Sequence, residues 1–167
     1  ALAVVVDDQV LVARGYGLAD VEEKMAADAG TRFAIGSSTK AFTTFGLARL
    51  AQEGKFSWDD AARDHLPELR LQDEAAAIQL TPRDMVTHRS GLPRHDLVWY
   101  ASTKVTPADI LQRLPHLEPN ASLREAWQYN NLMYVLAGHL AARLDGGDWE
   151  DHLRRRVLAP AGMKETL

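Results

Sequence analysis

The 167 residues contain no cysteine, so a disulfide framework and thiolate chemistry are both excluded. That absence does not fix a compartment, because an exported protein need not carry disulfides. No apolar run approaches the roughly 20 residues of a membrane-spanning helix, and no segment reads as a signal peptide. Positive charge is not in excess. Lys and Arg number 19 against 23 Asp and Glu, for a net charge of −4. The densest basic cluster, Arg154-Arg155-Arg156, reads as the solvated face of an amphipathic helix, and nucleic acid is not expected as a partner. The six histidines form no H-E-x-x-H or comparable ligand spacing, so neither a metal nor another cofactor is expected. Internal repeats and low-complexity segments are absent as well.

What remains is a globular composition, 46% hydrophobic and 25% charged, long enough for one real core. Leu2–Val6 and Val10–Tyr16 are β-branched runs around Asp7-Asp8-Gln9, which predicts a β-hairpin. Residues 20–31 read as a polar connection, and residues 33–35 as a short extended segment. A helix is predicted from Ser38 to Glu53, stopped by Gly54 and buried through much of its length. Thr81-Pro82-Arg83-Asp84 and Thr106-Pro107-Ala108-Asp109 each place Thr at an N-cap, Pro at the first helical position and Asp at the third. A further helix runs from Asn131 to Leu144 and closes at Gly146-Gly147. Asp148 caps a last one, to about Leu158. The first residues are already strand-like and no terminating signal precedes Leu167, so the chain reads as a piece of something longer.

Ser37-Ser38-Thr39-Lys40 is the most informative tetrapeptide. Residues three apart share a helix face, so the Ser37 hydroxyl and the Lys40 amine converge at a helix start. A serine alone is a poor nucleophile, and a desolvated amine beside it can take its proton. Backbone N–H groups at the helix start suit an oxyanion. The plain alternative is an N-capping serine with a solvated lysine one turn later.

A second signal is Tyr129-x-Asn131, the only Y-x-N in the chain. A phenol near an ammonium can share or lose its proton and act as general base, then general acid. The Asn131 carboxamide can hold Lys40 and a substrate amide or carbonyl. Its plain alternative is a half-buried tyrosine followed by an asparagine cap. A third segment, Thr87-His-Arg-Ser-Gly-Leu-Pro93, reads as structural, with Gly91 making a tight turn and Leu92 an anchor.

With these blocks in order, the chain resembles the beta-lactamase-related serine hydrolases: class C beta-lactamases, DD-peptidases, D-aminopeptidases and esterases of one fold. The resemblance runs over the initial hairpin, the F-x-I-G-S-x-T-K, T-H-x-S-G-L-P and Y-x-N blocks, and the closing P-x-G-M-K-x-T. It implies an α/β (α+β) fold of the serine beta-lactamase and penicillin-binding-protein type, an antiparallel sheet beside a helical lobe. The chain is then one incomplete domain over 1–167, with the initial hairpin and connection in 1–36 and the nucleophile helix and helical lobe in 37–167.

The resemblance further implies that Ser37 is the acylated nucleophile and Lys40 its proton partner. Tyr129 is then the general acid or base and Asn131 a substrate-positioning amide. Residues 93–96 line the cleft rim, where Arg94 or His95 touches a substrate side group. The expected partner is a small-molecule or peptide substrate, on an exported protein: periplasmic, cell-envelope or secreted. One family motif, K-[ST]-G or H-x-G, is absent from these residues. It normally supplies a second oxyanion donor, so the isolated chain is expected not to turn substrate over. Within the hydrolases, an esterase or peptidase is favoured over a dedicated beta-lactamase. The competing readings are a penicillin-binding or sensor-like module that acylates without efficient turnover, and a dead scaffold.

Overall fold

Asp7 and Asp8 both take positive φ, 47° and 63°, the backbone of a two-residue turn matched to the twist of paired strands. They join β1 (Leu2–Val6) to β2 (Gln9–Arg14) in an antiparallel hairpin that pairs Val6 with Gln9 and Leu2 with Arg14. The register shifts between Val4 and Val5, a bulge that leaves Leu11 as the extra residue. The computed structural model describes residues 1–100 and 104–166, so the expectation attached to Leu167 lies outside them. The described chain forms two compact units, Ala1–Gly36 (with Thr166) and Ser37–Glu165.

The first unit corrects the sequence reading in two places. The second strand stops at Arg14, short of Tyr16. The polar connection contains a second, smaller hairpin, β3 (Leu18–Asp20) with β4 (Met25–Ala26). Its strands are too short to carry a period-2 pattern. What holds the turn is local: Asp20 accepts from the Glu23 N–H, and Lys24 sits at φ 51°. Residues 31–35 form neither strand nor helix.

The second unit is helical. A 3₁₀ turn at Gly36–Ser38 leads into α1 (Thr39–Gln52). Short helices follow: α2 (Ala62–His65), α3 (Glu74–Gln79), α4 (Pro82–Val86), α5 (Leu97–Tyr100) and α6 (Pro107–Arg113). A 3₁₀ turn at Leu114–His116 closes this run. The chain then passes to α7 (Asn131–Asp145) and α8 (Trp149–Leu153), whose last turn is a π turn, Arg154–Leu158. Both Thr-Pro-x-Asp starts form full capping boxes, in which the Thr hydroxyl accepts from the Asp N–H and the Asp carboxylate accepts from the Thr N–H.

The core lies where α1 packs on α7, with α4, α6 and α8 against α7. Leu47, Leu50, Leu66, Leu69, Leu80, Met85, Leu132, Met133, Leu136 and Leu140 are fully buried there. Each such side chain contributes about 1.5–3 kcal/mol through removal from water. Burial of α1 follows one stripe. Thr43, Gly46, Leu47 and Leu50 are buried, whereas Phe45 is exposed. The buried stripe runs over much of the helix's length, from Thr43 to Leu50. The arginines at 154–156 are ion-paired rather than simply solvated. Arg154 pairs with Asp151, Arg155 with Asp145, and Arg156 with Asp145 and Glu53.

Gly91 sits at φ 83°, and a Cβ there would lie 2.4 Å from the Ala121 carbonyl oxygen. Only glycine fits both demands. The turn it makes brings the segment after α4 against the chain that leads into α7.

Candidate functional site

Ser37 lies in the 3₁₀ turn and Lys40 in the first turn of α1, so the three-residue spacing does bring the two side chains together. Lys40 Nζ donates to Ser37 Oγ at 3.2 Å. Tyr129 and Asn131 arrive from the start of α7. Lys40 Nζ donates to Tyr129 OH at 2.6 Å and to Asn131 Oδ1 at 2.7 Å. All three ammonium protons are then accounted for. Ser37 Oγ and Tyr129 OH are also hydrogen-bonded to each other, which closes a triangle of serine, lysine and tyrosine. Ser38, the N-cap, makes no side-chain cap. The plain capping alternative therefore does not describe this helix start: the Ser37 hydroxyl is engaged by Tyr129 and Lys40, and Lys40 is half-buried. Ser37 itself is exposed, so a ligand can reach its hydroxyl.

Helix α7 is placed by Asn130, not Asn131. Asn130 is fully buried and accepts from the Met133 N–H at 3.0 Å, while its Nδ2 donates to the Pro93 carbonyl at 2.6 Å. With the cap fixed one residue earlier, Asn131 is the first residue of the helix and its side chain is free to face Lys40.

The electrostatics follow from these contacts. Hydrogen bonds from Lys40, and then from Ser37, hold the Tyr129 phenol below its ordinary pKa. The Lys40 ammonium also lies 4.6 Å from the Tyr129 ring centroid and 5.2 Å from that of Tyr134. Asn131 Nδ2 donates to Asp96 Oδ1 at 3.1 Å, which fixes the amide orientation, since an ammonium only donates and a carboxylate only accepts. Partial burial pushes the Asp96 carboxyl up. Hydrogen bonds from Arg94 and Asn131 outweigh it and hold the carboxyl below its usual range.

Of the two rim residues, Arg94 reaches the cluster and His95 does not contact it. Arg94 donates through Nε to Asp96 at 2.6 Å, and its guanidinium lies 5.2 Å from the Tyr129 ring centroid. His95, at φ 47°, turns its Nε2 to the Glu118 carbonyl at 2.9 Å. The sequence gives no separate role to Tyr134, nor to Asp96 within the rim stretch 93–96 or His88 within Thr87–Pro93. Tyr134 follows Asn131 by three residues, a spacing that puts both on one helix face. No comparable sequence signal marks Asp96. Among the described residues, no group of three or more His, Cys, Asp or Glu side chains could hold a metal ion. No described helix is long and apolar enough to cross a membrane.

The beta-lactamase family model matches residues 1–167. The unguisins hydrolase ungD of Aspergillus violaceofuscus (strain CBS 115571) is 29% identical over 170 residues, covering 97% of this chain and 30% of the relative. The structure of D-amino acid amidase from Ochrobactrum anthropi SV3 superposes with a TM-score of 0.75 at 34% identity, over 89% of this chain and 40% of the other. The octameric penicillin-binding protein homologue from Pyrococcus abyssi gives a TM-score of 0.83 at 26% identity, over 97% and 38%. The fold is that of the serine beta-lactamases and penicillin-binding proteins, as the sequence resemblance implied. The chain spans about a third of the length of the curated relatives it matches.

Proposed function

Because this chain belongs to the beta-lactamase family, we propose that it carries the acylating site of a serine hydrolase, with Ser37 as nucleophile and Lys40 and Tyr129 as its acid–base pair. The observation that carries this reading is the closed triangle of Ser37, Lys40 and Tyr129, built from residues far apart in sequence. Between them, lysine and tyrosine lack one proton in the reactive state, as ammonium with phenolate or as amine with phenol. Either form accepts the Ser37 proton through a contact that already exists. Ser37 Oγ then forms a bond to the substrate carbonyl carbon, and the carbonyl π electrons move onto oxygen. The Ser37 backbone N–H is one donor for that oxyanion. Collapse breaks the bond to the leaving group, which takes the proton back from the pair, and water later releases the acyl group by the same route. No cofactor enters.

Asn131 holds Lys40 and keeps its second Nδ2 proton for a substrate carbonyl, while Arg94 sits at the rim. The substrate is an ester, amide or beta-lactam. The 34% identity to a D-amino acid amidase favours an amide. These 167 residues lack K-[ST]-G and H-x-G, so the chain by itself is expected to acylate and then stall, as a penicillin-binding or sensor-like module would. Losing an oxyanion donor costs about a hundred- to a thousand-fold in rate.

The test is intact-mass spectrometry after incubation with a fluorophosphonate, whose phosphorus forms a bond to Oγ as fluoride leaves. One adduct on the wild type and none on Ser37→Ala supports the reading. An equal adduct on both, or none on a folded wild-type chain, overturns it.

A further inference from the structure

His88 is buried, and no role in the chemistry proposed above falls to it. Its surroundings are nevertheless organised around Tyr129. The His88 carbonyl accepts from the Gln128 N–H at 2.9 Å. Its ring Nδ1 accepts from the Asn130 N–H at 3.1 Å. One residue thus grips the backbone immediately before and immediately after Tyr129. The imidazole also lies against the phenol ring, centroid to centroid 4.6 Å at 34°. On its other sides are Tyr134 at 5.2 Å and Trp127 at 5.6 Å.

Two further observations show that this contact is specified. His88 sits at φ 61°, a left-handed backbone that is uncommon outside glycine. The Nδ1 acceptor requires a neutral ring with its proton on Nε2. Burial, and then the nearby Lys40 charge, keep the ring neutral by lowering its pKa from 6.5. The titratable groups facing the ring are Lys40 from α1, Tyr129 from the segment before α7, and Tyr134 from α7 itself.

We propose that His88 is the positioning residue of Tyr129, clamping the backbone on both sides of it so that the phenol oxygen stays on Ser37 and Lys40. The inference rests on the reading of Tyr129 as an acid–base group. Protonation of His88 removes the acceptor for the Asn130 N–H and sets a second positive charge beside Lys40. Acylation of Ser37 therefore falls on the acid side as His88 titrates.

The test uses two substitutions that both suit a left-handed backbone. His88→Asn places Oδ1 where Nδ1 was and keeps the acceptor. His88→Gly removes acceptor and ring together. Two quantities are measured on the 167-residue chain: the fluorophosphonate acylation rate against pH, and the Tyr129 phenol titration by ultraviolet difference against Tyr129→Phe. For His88→Gly, acylation falls about tenfold or more and the phenol titrates closer to its ordinary pH. For His88→Asn, the rate stays within about threefold of wild type, and the limb of the pH profile that belongs to His88 is gone. Wild-type acylation and phenol titration in the glycine variant overturn the proposal. So does an asparagine variant that is as impaired as the glycine one or keeps the limb. If no variant acylates at all, the reading of Ser37 has failed, and the phenol titration still decides whether His88 places Tyr129.

Discussion

The Arg124 guanidinium closes on the Asp84 carboxylate, Nε 2.9 Å from Oδ1 and Nη2 2.8 Å from Oδ2, forty residues away in sequence. The same carboxylate completes the capping box of α4 through Thr81. Burial pushes the Asp84 carboxyl up, but the bonds from Arg124 and Thr81 prevail and hold it below its ordinary pKa. Arg124→Ala leaves a buried carboxylate short of its counter-ion. About 2 kcal/mol of stability is expected to go, read as a lower urea midpoint with an unchanged slope. A midpoint within error of wild type would show that the bridge adds nothing to stability.

A carboxyl held low in the folded state stabilises above its unfolded pKa, and that stability is lost as pH falls through the folded value. Asp145 is the extreme case. Hydrogen bonds from Arg156 and His152 hold its carboxyl far below the usual range against the effect of burial. Lys55 and Arg155 complete its set of cations. Asp145→Asn is expected to cost about 3 kcal/mol near neutral pH. The gap between variant and wild type should close as the solution is acidified. A gap independent of pH, measured by denaturation at several pH values, would contradict this.

Gly46 of α1 packs closely against His152 and Leu153 of α8. A Cβ on it would sit 2.5 Å from His152 Nε2 and 3.2 Å from Cδ2. His152 is fully buried and anchored through Nδ1 to Asp145 at 3.0 Å, so it cannot swing aside cheaply. Gly46→Ala should destabilise by about 1–3 kcal/mol despite the better helix propensity of alanine. In a double-mutant cycle with His152→Ala, most of that cost should disappear. Additive costs would locate the strain elsewhere.

The two rim residues should separate functionally. Arg94 lies over the Tyr129 ring and is bonded to Asp96, whereas His95 is tied to the Glu118 carbonyl. Arg94→Ala is expected to slow fluorophosphonate acylation several-fold, because it frees Asp96, which orients Asn131. His95→Ala should leave the acylation rate within about twofold. The reverse ranking would move substrate contact to His95.

Much of this was legible in the sequence because the chemistry is local. Ser37 and Lys40 meet because helical spacing requires it, and both Thr-Pro-x-Asp starts form the capping boxes they spell. The second hairpin was not legible: three- and two-residue strands are held by one aspartate and a positive-φ lysine, not by a hydrophobic pattern. Arg94 and His95 are equivalent as adjacent rim residues in sequence; the left-handed turn at His95 and the contacts each makes part them. Asp96 and His88 lie inside segments the sequence marks, 93–96 and Thr87–Pro93, but both act through other side chains, which a motif does not spell out.

Asn130 and Asn131 are chemically identical neighbours with opposite assignments, one turned inward as a cap and the other outward to an ammonium. What distinguishes them is angular phase. Successive helical side chains point about 100° apart, and the Asn130 cap decides where that count begins. The cap thus works as an indexing stop. A single residue inserted between Tyr129 and Asn130 would keep every functional group in the chain and still present them out of step, with phenol and carboxamide no longer meeting the same amine.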